Sequence, residues 1–156
     1  MNPGLPWKTF RRMQDSLAAA AALIYAAAVV HAWRVLPGTE ALKVQRTLFF
    51  PGVSLAFAFI AVLAVPPLRA AISRHLLVSY RTGFGQSVIS VIAGVGVIVL
   101  AAGLIFWQIA AVAHGGRYPA GVFSGYAAGI GLLLAQTLIV RRLEKDPALE
   151  HEIEGE

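Results

Sequence analysis

From Val88 to Ala113 the chain runs for 26 residues without a single charged side chain. At ~1.5 Å per residue a helix of that length reaches about 39 Å, more than the ~30 Å of hydrocarbon in a bilayer. Three further stretches are of the same kind: Leu17 to Leu36, unbroken from Leu17 to Val30; Leu48 to Val65, closed by Pro66-Pro67; and Ala120 to Val140, closed by Arg141-Arg142. Each has the roughly 20 residues that a membrane-crossing helix needs. Alternation with period two is absent, so a closed barrel is not indicated, and only helices satisfy their own backbone in lipid. Charged residues make up 13% of the chain and hydrophobic ones 58%, with mean hydropathy +0.70. A soluble domain carries about 25% charged residues, so this composition leaves too few solvated groups to cover an aqueous surface. It is equally far from the low hydrophobicity of disordered chains.

These features predict an all-α integral membrane protein. Its spans at about 17–36, 48–65, 88–113 and 120–140 form a four-helix bundle in one domain, residues 1–142. At 26 residues the third span should tilt or protrude. Between spans two and three, Leu68, Ile72, Leu76 and Tyr80 recur every fourth residue, with Ala71 alongside and Arg69 and Arg74 off that line. That spacing suits a short helix in the headgroup region, or else a plain basic loop. Thr82-Gly83-Phe84-Gly85 then reads as a turn.

The net charge of +5 resolves into two parts. Residues 1–143 carry twelve Lys and Arg against Asp15 and Glu40. Residues 144–156 carry Lys145 against six carboxylates. The predicted tail, 143–156, is therefore acidic and expected to be disordered in water. Lys8, Arg11, Arg12, Arg69, Arg74, Arg81, Arg141, Arg142 and Lys145 fall on one side of the predicted spans. Arg34, Lys43, Arg46 and Arg117 fall on the other. Nine against four places both termini in the cytoplasm, most simply of a bacterial inner membrane. The basic body is explained by lipid and insertion, and no nucleic-acid motif accompanies it. Lys8, Arg11 and Arg12 before an apolar core and Val30-His31-Ala32 also have the layout of a signal peptide. Continuation of the apolar stretch through Val35-Leu36 favours an uncleaved first span.

Small residues mark the predicted packing faces. Gly121, Gly125 and Gly129 repeat every fourth residue, so they share one face of the fourth span, with Gly131 just beyond. Ser87, Ser90, Gly94 and Ala101 share a face of the third. Faces without side chains let helices approach closely in a membrane. A close hairpin of spans three and four is expected, with a helix from another copy or partner as the alternative occupant. Trp7, Phe10, Trp33, Phe49, Phe50 and Tyr118 are expected at the membrane interfaces. Phe57, Phe59, Phe123 and Tyr126 should lie deeper.

Chemistry is sparse. The chain has no cysteine, hence no disulfide, thiolate metal site or cysteine nucleophile. No span core contains an ionisable group of the kind that proton-coupled carriers use. Gln108, Ser124, Tyr126 and Gln136 are neutral and could line a path or pair across helices. His31 and His114 fall near the same predicted surface, where two imidazoles could hold a b-type haem or share a divalent metal. Two merely solvated histidines are the simpler reading. Three functions follow: a non-enzymatic accessory or assembly subunit acting by helix packing within a homo-oligomer or larger complex; a small oligomeric transporter or channel; and a haem-binding redox anchor.

Overall fold

The computed structural model describes residues 6–81 and 121–146, and these are almost entirely helical, with no strand among them. The elements are α1 (Trp7–Val35), α2 (Glu40–Val44), a π turn (Gln45–Phe49), α3 (Phe50–Ala64), α4 (Pro66–Arg81) and α5 (Gly121–Leu143). Among the described residues, three helices are long and apolar enough to cross a membrane: α1, the continuous run Glu40–Ala64, and α5. The chain is thus an integral membrane protein by its helices as well as by its composition. The predicted span at 88–113 lies outside the described residues.

The boundaries differ from those of the hydropathy pattern for local reasons. α1 begins at Trp7, ten residues before the apolar stretch. Trp7 and Phe10, one turn apart, are both buried, while Lys8 and Arg12 stay exposed. The Pro6 carbonyl accepts from the Thr9 and Phe10 amides and starts the helix. At the far end, Leu36 caps the Ala32 carbonyl, and the chain turns at Gly38, whose φ of 119° favours glycine. Thr39 then caps α2 by accepting from the Leu42 amide at 3.4 Å. The second crossing therefore starts at Glu40, eight residues before the apolar pattern. Pro66-Pro67 does not merely end a helix. The break falls at Val65, which is extended, and the two prolines open α4, where a missing N–H costs nothing.

The π turn has a cause in the sequence. In a regular helix the Thr47 carbonyl would accept from residue 51, but residue 51 is proline, which has no N–H and whose ring crowds that carbonyl. The turn widens, so the Phe50 amide reaches back five residues to Gln45. The Tyr25 hydroxyl, from the middle of α1, donates to the Thr47 carbonyl instead. Thr47 is fully buried, and its own hydroxyl donates to the Lys43 carbonyl at 2.7 Å. An unpaired carbonyl in an apolar interior costs a few kcal/mol, so this replacement donor is what makes a proline tolerable here.

Two clusters hold the helices together. In one, Ala21, Ala28 and Ala32 of α1 and its capping Leu36 pack on Phe123, Tyr126 and Ile130 of α5. In the other, Trp7 and Phe10 of α1, Val62 of α3, Leu76 and Tyr80 of α4, and Ala135, Ile139 and Val140 of α5 come together. The Trp7 and Tyr80 rings meet edge to face at 4.9 Å. The start of α1 therefore lies beside the end of α5, and the two helices run antiparallel. α3 runs from the first cluster's end to the second's, as α5 does, so α3 and α5 are parallel.

Ion pairs close the same end. Arg11 donates from Nη1 to both carboxylate oxygens of Glu144, at 2.8 and 3.1 Å, and Arg141 reaches Asp15 at 3.5 Å. Charges are exchanged between helices: an arginine of α1 meets a carboxylate just beyond α5, and an arginine of α5 meets a carboxylate of α1. The four side chains are 32–54% exposed, so each pair adds about 1 kcal/mol or less. Their direction matters more, since they fix which end of α5 faces which end of α1.

Candidate functional site

The most extensive helix contact among the described residues is that of the parallel pair α3 and α5. Its closest approach is at Gly131, which is not on the stripe that glycine spacing singles out. Ala127, Gly131 and Ala135 recur every fourth residue on α5 and are buried. At Gly131 the α5 backbone lies directly against that of α3. A Cβ there would overlap the Leu55 carbonyl oxygen and sit 3.1 Å from the Leu55 carbonyl carbon and 3.2 Å from the Phe59 nitrogen. Only glycine allows this approach, in which dispersion contacts between backbones substitute for side-chain burial.

Gly121, Gly125 and Gly129 form a neighbouring stripe. Among the described residues, nothing comes within 4 Å of where their Cβ atoms would be. Gly121 and Gly125 are exposed and Gly129 half-buried. Their predicted partners Ser87, Ser90, Gly94 and Ala101 lie outside the described residues. On the α3 side this stripe opens into a cleft of about 400 Å³, lined by Val53, Ser54, Phe57 and Ala58 of α3 and by Ser124, Gly125 and Ala128 of α5. The cleft is apolar apart from two serines, one from each helix. Of its lining, Phe57 stands 75% exposed and Val53 54% exposed.

The four residues considered for a path are distributed as follows. Ser124 lines the cleft. Tyr126, two positions and therefore about 200° away on the helix, faces α1: it is buried, stacks on Tyr25 with ring centroids 6.1 Å apart, and donates its hydroxyl to the Ala21 carbonyl at 3.2 Å. Gln136 is half-buried further along α5. Gln108 lies outside the described residues. The structure thus brings Tyr126 and Phe123 to Tyr25, and puts Ser124 and Ser54 on one cleft, on different sides of α5.

His31 is exposed near the end of α1. His114, considered with it for haem or metal, lies outside the described residues. Among the described residues, no three or more of His, Asp and Glu gather as a metal site would require. Sequence reasoning missed two groups that organise the helices. The Tyr25–Thr47–Pro51 arrangement was signalled by a proline four residues after Thr47 and within reach of a helical tyrosine. The Ala127–Gly131–Ala135 stripe was signalled by the same fourfold spacing as the glycines. Compared with protein-family models, curated proteins and solved structures, the chain finds no match.

Proposed function

We propose that this protein is a non-enzymatic assembly or accessory subunit of a membrane complex, and that it acts by presenting the Gly121–Gly125–Gly129 face of α5 to another helix. The observation that carries this reading is the cleft beside Gly125. It is a groove of small residues between two parallel helices with exposed backbone along one wall. Lipid tails and leucine are equally apolar, so association in a bilayer depends on how closely surfaces fit. A surface cut back to glycine gives an approaching helix contacts that a flexible acyl chain makes less well. Ser54 adds a hydroxyl that can bond across such an interface.

The reading includes a topology. α3 and α5 run in the same direction, and α4 ends beside the start of α1, where α5 also ends. A further crossing would join the end of α4 to the start of α5, which lie at opposite ends of the bundle. We take the uncharged stretch 88–113 to be that fourth crossing. Both termini then lie on the more basic side, which the charge bias assigns to the cytoplasm of an inner membrane. The helix received at the cleft comes from a second copy or a partner subunit.

The test is purification of the full chain in mild detergent, with mass measured by light scattering. The expected outcome is a complex heavier than 16.6 kDa of protein. Gly125→Leu, which fills the groove, should reduce that mass while leaving helix content unchanged. A lone monomer with no co-purifying protein would overturn the proposal. Solute flux into liposomes, abolished by substituting Ser124, would support the transporter reading instead.

A further inference from the structure

α4 is amphipathic, and its placement gives its outer face a specific environment. It begins two residues after α3 ends. Tyr80 lies 14 residues beyond Pro66, about 21 Å along a helix axis, yet its ring packs on Trp7. A helix continuing away from the bundle could not make that contact. α4 must therefore lie across the ends of α1 and α5, at the level where the spans stop. Its inward face is Leu76, Ser79 and Tyr80, with Ile72 partly covered. Its outward face carries the exposed cation Arg74, with Val78, 50% exposed, one turn on and the exposed Ala70 and Ala71 one turn back, while Leu68 and Arg69 lie nearer the inward side. Arg69 also anchors the bend, donating from Nη1 to the Leu63 carbonyl of α3 at 3.2 Å.

The charge around this face is one-sided. Residues 6–16, 66–81 and 141–146 together carry nine Lys and Arg against Asp15, Glu144 and Asp146, and Asp15 and Glu144 are already engaged by Arg141 and Arg11. At the opposite end, residues 31–46 carry Arg34, Lys43 and Arg46 against Glu40. Lys43 is turned inward there, its Nζ donating to the Trp33 carbonyl at 2.9 Å.

We propose that the outward face of α4, centred on Arg74 and flanked by Ala70, Ala71 and Val78, is a binding surface for anionic phospholipid. The apolar side chains enter the acyl boundary, and the guanidinium sits at headgroup depth, where its planar fork matches phosphate. A zwitterionic headgroup offers the same phosphate with its charge cancelled, so the surface discriminates by net charge. This holds whatever occupies the cleft between α3 and α5, which the α4 face does not border.

The experiment uses the full chain in neutral detergent, titrated with phosphatidylglycerol or phosphatidylcholine. Bound lipids are counted by native mass spectrometry. Wild type should retain phosphatidylglycerol at concentrations where phosphatidylcholine is lost. Arg74→Gln should weaken phosphatidylglycerol binding about fivefold, the effect of roughly 1 kcal/mol per basic residue at an anionic surface, and Arg74→Glu should weaken it further. Arg34→Gln, at the opposite end, should leave it unchanged. Melting in neutral detergent checks that each variant folds. Equal retention of the two lipids, wild-type binding by Arg74→Glu, or an equal loss in Arg34→Gln would each overturn the proposal.

Discussion

Gly131→Ala is the sharpest probe of how α3 and α5 meet. The added methyl would overlap the Leu55 carbonyl oxygen and lie 3.1 Å and 3.2 Å from two further backbone atoms of α3. Comfortable contacts between such atoms lie at about 3.5–4.0 Å. Backbone cannot rotate out of the way as a side chain can, so the whole of α3 has to shift. Overpacking of this kind costs about 1–3 kcal/mol. Alanine's better helix propensity offsets up to about 1 kcal/mol of that. The expected net loss is ~1–2 kcal/mol, a factor of roughly 5–30 in the folding equilibrium. Gly125→Ala is the same chemical change on the same helix, six residues earlier. There no described atom lies within 4 Å of the new methyl, so only the propensity gain of up to about 1 kcal/mol remains. The two variants should thus differ by about 2 kcal/mol in SDS-induced unfolding from mixed micelles, followed by far-ultraviolet circular dichroism. If Gly131→Ala were as stable as Gly125→Ala, the close approach at Leu55 would be wrong.

Other outcomes follow from the same contacts. Tyr25→Phe should cost about 1–3 kcal/mol by stranding the buried Thr47 carbonyl; in a Pro51→Ala background, where residue 51 regains an N–H, the penalty should shrink, and a double-mutant unfolding cycle measures the difference. Trp7→Ala should destabilise by about 3 kcal/mol or more through loss of its buried ring, and less than additively with Tyr80→Ala, since both changes remove the same edge-to-face contact. Arg11→Ala should cost less than about 1 kcal/mol, and that effect should fade between low and high salt, because the pair with Glu144 is partly solvated.

Much of this architecture is readable in the sequence because lipid imposes a length and a polarity on each span. That rule finds α1, α3 and α5 and is blind to what happens at their ends. Trp7 and Phe10 extend α1 because an amphipathic first turn can bury aromatics against another helix while Lys8 and Arg12 stay in water. A hydropathy window averages the two and sees nothing. Trp7 and Phe10, expected at a membrane interface, have their rings buried in protein. Fourfold spacing of small residues finds faces without saying which helix each face meets. Two such stripes run along α5, and only the three-dimensional path of α3 selects Ala127–Gly131–Ala135 for the tight contact. For the same reason Ser124 and Tyr126, neighbours in a list of polar residues, end on different sides of one helix.

The parallel pairing of α3 and α5 also sets an order of events during synthesis. Leu55 and Gly131 are 76 positions apart, so at about 5–20 residues per second the glycine leaves the ribosome roughly 4–15 seconds after its partner. Throughout that interval α3 resides in the bilayer without the helix that will cover it. It belongs to the most apolar of the three long helical runs, which lets it wait in lipid unaided. α5, the least apolar of the three and the most enclosed, inserts last, into a seat already built.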